Sequence, residues 1–304
     1  MTTCNCLCAQ RRIKRKIKKT GRIIAGVGTY LSYPWCDFIR MKKTNIKSAA
    51  DLEYAWSNWT RSFPSFMAWV DQEGIPYLSH SRVADYVRCP ACYYRRYVLG
   101  EKTESQAMLL GTLFHKAAAG FYKAKNTLEA DKLFSRLRVS KLEEDRHGPL
   151  QNAIALLCQN RHSDCEVVSI EEPFFLDLAP GLPPIIGIAD LIIRKGKLLA
   201  VVDHKTGKSF NDHDPAQLVL YAEHVGRLHN ARVTAGFFDE YRLVPNLDRI
   251  RKPAFRRTEV RLSKKMLPPL IRRYKSAWKE IQLLKKEDPP SAAYDCWFCR
   301  PQWY

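Results

Sequence analysis

Apolar residues recur at helical spacing through the first half of the chain and at alternate positions through the middle, so the period itself divides the sequence. In residues 49–70 the spacing of Leu52, Trp56, Trp59 and Phe63 predicts a helical cap rich in aromatics. Residues 79–99 read as a helix entered at Ser79 or Ser81, with Val83, Tyr86 and Val87 on one face. It is interrupted at Cys89-Pro90, where a proline can open the next helix because its missing N–H is not needed there. Further helices are predicted over 111–125, with Leu113, Phe114, Ala117, Ala118 and Phe121 on it, over 127–144 and over 150–160. The period then shortens. Three β-rich runs, 167–178, 185–194 and 198–204, are separated by Pro180-Gly181, Pro183-Pro184 and Lys195-Gly196-Lys197, which predicts a meander. A helix over 215–228, strands over 232–241 and 258–262, and a long basic helix over 264–286 complete the order. Helices first, a central mixed sheet and a helix crossing back make this an α/β (α+β) fold.

Strand alternation also sorts the chemistry. Leu199, Val201, Asp203 and Lys205 share one face of the third strand while His204 points away, so an acid and an ammonium end an apolar row. An antiparallel neighbour can bring Asp190, in Gly187-Ile-Ala-Asp190, beside Asp203, and a divalent cation relieves the repulsion between such carboxylates. His115, in Gly111-Thr-Leu-Phe-His115, can add a nitrogen from the packed helix. That donor set suits Mn²⁺ well and Mg²⁺ tolerably. Lys205 next to the ion can hold an attacking water and offset charge on a phosphoryl group. Gln217 and Tyr221 follow one turn apart on the next helix. Asp-x-Lys alone is usually a surface ion pair; four such features in this order are the stronger signal. Glu171 and Glu172 open a strand and could join the site, but acids at a strand edge are ordinarily solvated, so they stay outside the predicted site.

These motifs resemble the PD-(D/E)xK nuclease superfamily and, within it, the RecB-like branch, which includes CRISPR-adaptation and phage exonucleases. The resemblance runs from residue 79 to 304 and implies a restriction-endonuclease-like mixed sheet flanked by helices. It implies that His115, Asp190 and Asp203 bind the catalytic Mg²⁺ or Mn²⁺, with His204 contributing its backbone carbonyl. Lys205 would be the catalytic lysine, acting with Asp190 and Asp203, and Gln217 and Tyr221 would position that lysine or the DNA backbone. The implied activity is hydrolysis of DNA phosphodiesters, as an exonuclease on single-stranded or end-resected DNA in recombination, repair or phage replication. A helicase or recombinase would be its partner. Two rivals are a non-catalytic DNA-binding protein on a decayed nuclease fold and a sequence-specific endonuclease.

Charge and cysteine content extend the picture. Fifty Lys and Arg against 31 Asp and Glu give +19, which favours a polyanionic partner. Residues 1–40 hold nine of those bases and one acid, so they are expected to form a basic, cysteine-containing, disordered tail. Residues 41–78 form the aromatic helical cap and 79–304 the nuclease domain. No apolar run is long enough for a membrane span, and a signal peptide's apolar core is missing. An intracellular, reducing compartment is therefore expected: bacterial or phage-infected cytoplasm, or a DNA-containing organelle or nucleus. Cys89-Pro-Ala-Cys92 and Cys296-Trp-Phe-Cys299 supply four thiolates with 203 residues between the pairs, the count for zinc or an iron–sulfur cluster. The arrangement resembles the iron–sulfur RecB-like nucleases, whose cysteines clasp a 4Fe-4S cluster around the core. That pattern has one upstream and three C-terminal cysteines, so here a two-plus-two clasp is expected, with structural Zn²⁺ as the alternative. Backbone-binding bases are expected on the last helix (Lys264, Lys265, Arg272, Arg273, Lys275, Lys279, Lys285, Lys286). The segment before it adds Arg249, Arg251, Lys252, Arg256, Arg257 and Arg261.

Overall fold

A computed structural model describes residues 46–101, 105–125, 128–249, 251–294, 296 and 299. The basic, cysteine-containing tail expected over residues 1–40 lies outside them. The sheet has five strands in the order β1-β2-β3-β4-β5: Glu166–Leu176, Ile185–Lys195, Leu198–Gly207, Val233–Arg242 and Phe255–Arg261. All neighbours are antiparallel except β3 and β4, which run parallel and are joined by a crossover helix. The mixed sheet expected from the sequence is therefore present, with the meander followed by one crossover.

Helices cover both faces. They are α1 (Ala49–Ser57), α2 (Phe63–Gln72), α3 (His80–Arg88), α4 (Pro90–Tyr93), α5 (Gln106–Lys123), α6 (Ala130–Ser135), α7 (His147–Gln159), α8 (Ala216–Leu228) and α9 (Leu267–Ile281). One core packs Leu199, Val201 and Phe238 of the sheet against α3, α8 and α9. The other packs Leu191, Val202 and Tyr241 against α5, α6 and α7. Successive residues Val201 and Val202 thus belong to different cores, as a two-residue period requires. No helix among the described residues is long and apolar enough to cross a membrane.

Three helical expectations are corrected. The cap is two helices, not one: α1 ends at Ser57, and Pro64 in the first turn of α2 starts a new helix. Its aromatics still form one cluster, with Phe63 and Phe66 edge-on to Phe175 of β1. The helix expected over 127–144 shrinks to the six residues of α6, followed by turns. The last helix ends at Ile281, not Lys286.

Candidate active site

The site forms where β2 and β3 part. Their ladder runs from Lys195↔Leu198 to Leu191↔Val202 and pairs no residue beyond. Past that point β2 continues beside β1 alone and β3 beside β4 alone. The His204 N–H is thereby left without a strand partner, and Asp190 takes its place: Oδ2 accepts that N–H at 2.9 Å. A carboxylate thus fills the fork. Gly187, which opens the motif, is required by packing, since a Cβ there would lie 2.5 Å from the Phe174 ring on β1.

His115 reaches the fork from one face. Ser105 caps α5 by accepting the Met108 N–H, and Leu113, Phe114, Ala117 and Phe121 bury its inner side. Each large apolar side chain so buried contributes about 1.5–3 kcal/mol, so the helix cannot roll. His115 Nδ1 then lies 3.5 Å from Asp190 Oδ1. Burial opposes the imidazolium, but the Asp190 charge and contact outweigh it, and the His115 pKa is raised. Burial likewise works against ionised Asp190, yet His115 and the His204 N–H hold its pKa below the usual carboxylate range.

From the other face comes a ring of three hydrogen bonds closed by an ion pair. Asp203 is 1% exposed at the end of the buried row Leu199, Val201. Lys205 Nζ lies 2.7 Å from Asp203 Oδ2 and donates to Gln217 Oε1 at 2.8 Å. Gln217 Nε2 donates to the Tyr221 hydroxyl at 2.7 Å, and that hydroxyl donates to Asp203 Oδ1 at 3.4 Å. The direction is forced: an ammonium can only donate, so the amide oxygen faces Lys205 and its NH₂ faces Tyr221. Burial, together with the Asp190 charge, lifts the Asp203 pKa to about 6 against the pull of Lys205. Asp214 Oδ1 accepts the Ala216 N–H at the start of α8 at 2.9 Å, and Arg273 of α9 pairs with its other oxygen.

The structure therefore brings Asp203, Lys205, Gln217 and Tyr221 into one network and His115, Asp190 and the His204 backbone into another beside it. The two are electrostatically coupled, since His115 and Asp190 both act on Asp203. His115, Asp190 and Asp203 do not all place ligand atoms within 4.8 Å of one another; among the described residues only the four thiols form such a set. The His204 side chain points away as alternation requires, stacked on Tyr122 within the core, and burial lowers its pKa to about 4. Glu171, set aside on the sequence as an ordinary strand-edge acid, lies close enough to this site for His115 and Asp190 to act on its charge.

The cysteines converge as expected. Cys89 ends α3, Pro90 opens α4, and Cys92 is carried round beside it. Sulfur separations are 3.8 Å for Cys89–Cys299, 3.4 Å for Cys92–Cys296 and 3.3 Å for Cys92–Cys299. All four lie within 4.8 Å of one another. Tyr86 of α3 donates to Glu280 of α9 at 2.9 Å, and the Ala293 N–H beyond α9 donates to Cys89 Sγ at 3.4 Å, so α3 is tied both to α9 and to the segment that follows it. Cys158 and Cys165 are free thiols.

Three bases expected to contact nucleic acid are paired with acids of the protein while remaining partly exposed. Arg256 pairs with Glu240, Arg257 with Asp239, and Arg273 with Asp214. Their acids come from other segments, so sequence proximity could not reveal them. Tyr274 is fully buried and serves the core.

A family model of the PD-(D/E)XK nuclease superfamily matches residues 77–303. The chain belongs to that superfamily. No curated protein matches the sequence. Among solved structures, a protein from Eubacterium rectale provisionally named an exonuclease is similar at 14% identity with a TM-score of 0.53. The match covers 80% of this chain and 93% of that one, and at this identity it speaks to the fold. A second, SSO0001, is 17% identical over 62% of this chain and 82% of its own, with a TM-score of 0.29.

Proposed function

We propose that this PD-(D/E)XK nuclease hydrolyses DNA phosphodiester bonds as an exonuclease on single-stranded or end-resected DNA, in recombination, repair or phage replication. The single observation that supports it is the ring Asp203–Lys205–Gln217–Tyr221 set against the His115–Asp190 pair. Two buried carboxylates and an imidazole nitrogen are donor types suited to Mg²⁺ or Mn²⁺, and gathering them on one ion would close the present separation of their ligand atoms and replace the direct His115–Asp190 contact. In an extended strand a residue's N–H and C=O leave on the same side, so the His204 carbonyl belongs to the same fork as its N–H. A divalent ion there would polarise the phosphodiester and lower the pKa of water. Lys205 donates one N–H to Gln217 while its ammonium pairs with the Asp203 carboxylate, so donor capacity remains for a phosphoryl oxygen or the attacking water. Gln217 and Tyr221 fix where that donor points, which removes reorganisation at the moment of reaction.

End-labelled single-stranded DNA incubated with Mn²⁺ tests the reading. Wild type should degrade it, while Asp203→Ala and Lys205→Ala should not. If all three behave alike, the hydrolytic reading fails. Cutting of a closed circle at defined positions would replace the exonuclease by a sequence-specific endonuclease.

For the cysteine clasp, four thiols within 4.8 Å of one another supply the ligand count of a 4Fe-4S cluster, with structural zinc as the alternative. Straw-brown protein containing iron and sulfide is expected; colourless protein with one equivalent of zinc would replace the cluster by the single ion.

A further inference from the structure

Glu171 sits in the middle of β1 with φ +48°, in the left-handed region that side chains rarely enter. Asparagine and aspartate reach it by bonding their own backbone; glutamate has no such compensation. The ladder pairs on either side, Ile170↔Leu191 and Glu172↔Ala189, set Glu171 directly across from Asp190. Two carboxylates in cross-strand register repel. Glu172 has an ordinary role on the opposite face, 3.8 Å from His224 Nε2. Among the described residues the Glu171 carboxylate has neither a hydrogen bond nor an ion pair. The charges that act on it are His115, Asp190, Lys116 and Lys123, so it lies on the α5 side of the fork.

A half-buried acid without a partner, facing another acid across a strained backbone, stabilises nothing by itself. A cation between the two carboxylates converts their repulsion into shared attraction. We infer that Glu171 is a third carboxylate ligand of the divalent-ion site, binding the same ion as Asp190 on its His115 side. The inference rests on the nuclease reading and adds a ligand to it. His115, Asp190, Asp203 and the His204 carbonyl give four protein donors to an ion that takes six, and Glu171 is the acid that β1 places next to Asp190.

Mn²⁺ titration of the full-length protein, read by calorimetry and by the spin resonance of free Mn²⁺, tests this independently of activity. Glu171→Gln should weaken Mn²⁺ binding at least ~10-fold, whereas Glu172→Gln should bind as wild type. Without metal, Glu171→Gln should melt higher than wild type, and added Mn²⁺ should raise its melting temperature less. Glu171→Gly, which suits the left-handed backbone, should fold at least as stably and show the same loss of affinity. Binding lost in Asp190→Asn but intact in Glu171→Gln and Glu171→Gly would remove Glu171 from the site and leave the nuclease reading standing. A wild type that binds no Mn²⁺ would overturn both.

Discussion

Asp239 offers a sharp test of what holds the sheet in place behind the active site. It lies on β4 beside His204 of β3, with its side chain wholly buried. Arg257 from β5 grips it with two bonds, Nε to Oδ1 at 2.7 Å and Nη2 to Oδ2 at 2.8 Å, and His162 Nε2 lies 3.0 Å from Oδ2. The same guanidinium donates to the Asn160 carbonyl at 2.7 Å, so one cluster joins β4, β5 and the end of α7. Asp239→Asn keeps the shape but turns one acceptor into a donor facing Arg257 or His162. Breaking one side of a buried ion pair costs about 3 kcal/mol or more. Acid should act on the same cluster. Burial opposes ionisation, but Arg257 and His162 overcome it and lower the Asp239 pKa from 3.8 to about 2. A depressed folded pKa gives stability that is complete above the unfolded value and is lost as pH falls through the folded one. The amount is about 2 kcal/mol, disappearing between about pH 4 and pH 2. Urea denaturation of wild type and Asp239→Asn at pH 7 and at pH 2.5 measures both quantities. The variant should be destabilised at pH 7, and the gap should narrow at pH 2.5. Equal midpoints at pH 7, or a gap that does not change with pH, would refute the account. Because Asp239 and Lys205 lie on opposite faces of the sheet, folded Asp239→Asn should cleave DNA within a few-fold of wild type.

Further outcomes follow from the site and the clasp. Gln217→Ala frees the Lys205 ammonium without removing it, so single-turnover cleavage should fall roughly 10-fold or more, less than the 10²–10³-fold expected of Lys205→Ala. Rapid-quench assays at saturating Mn²⁺ separate the two. Cys296→Ser removes one thiolate of four and should release the bound metal and lower the melting temperature by roughly 5 °C or more, checked by metal analysis alongside calorimetry. Gly187→Ala drives a Cβ into the Phe174 ring and should destabilise the protein by about 1–3 kcal/mol, measured by denaturant titration.

The strands were legible because β-branched runs between proline and glycine turns encode a two-residue period locally. The acid and ammonium of β3 were legible for the same reason: Asp203 and Lys205 continue the parity of Leu199 and Val201. The break between α1 and α2 was concealed because Trp56, Trp59 and Phe63 keep near-helical spacing across it while packing as a cluster from two helices. The ion pairs of Arg256 and Arg257 were not legible because their acids, Glu240 and Asp239, become neighbours only when β4 and β5 pair. Glu171 could be named as a candidate but not placed, for a related reason. Its significance depends on register against Asp190 and on a backbone angle, and neither is written in the composition of its own segment.

The chemistry sits where regular pairing ends, and geometry explains why. A fully paired strand has its N–H groups satisfied by its neighbours, leaving none for a side-chain carboxylate. By stopping their ladder at Leu191↔Val202, β2 and β3 free the His204 N–H for Asp190 and open a gap between the strands. Only such a gap lets α5 and α8, packed on opposite faces, act on one pair of strands, His115 from one side and Gln217 with Tyr221 from the other. Restoring the pairing would satisfy the backbone at the expense of the Asp190 hydrogen bond and separate the two groups by a closed sheet. The fork is therefore a requirement of the site, and the buried rows Leu199–Val201 and Leu191–Ile193 on either face are what hold it open at one position rather than letting the strands fray throughout.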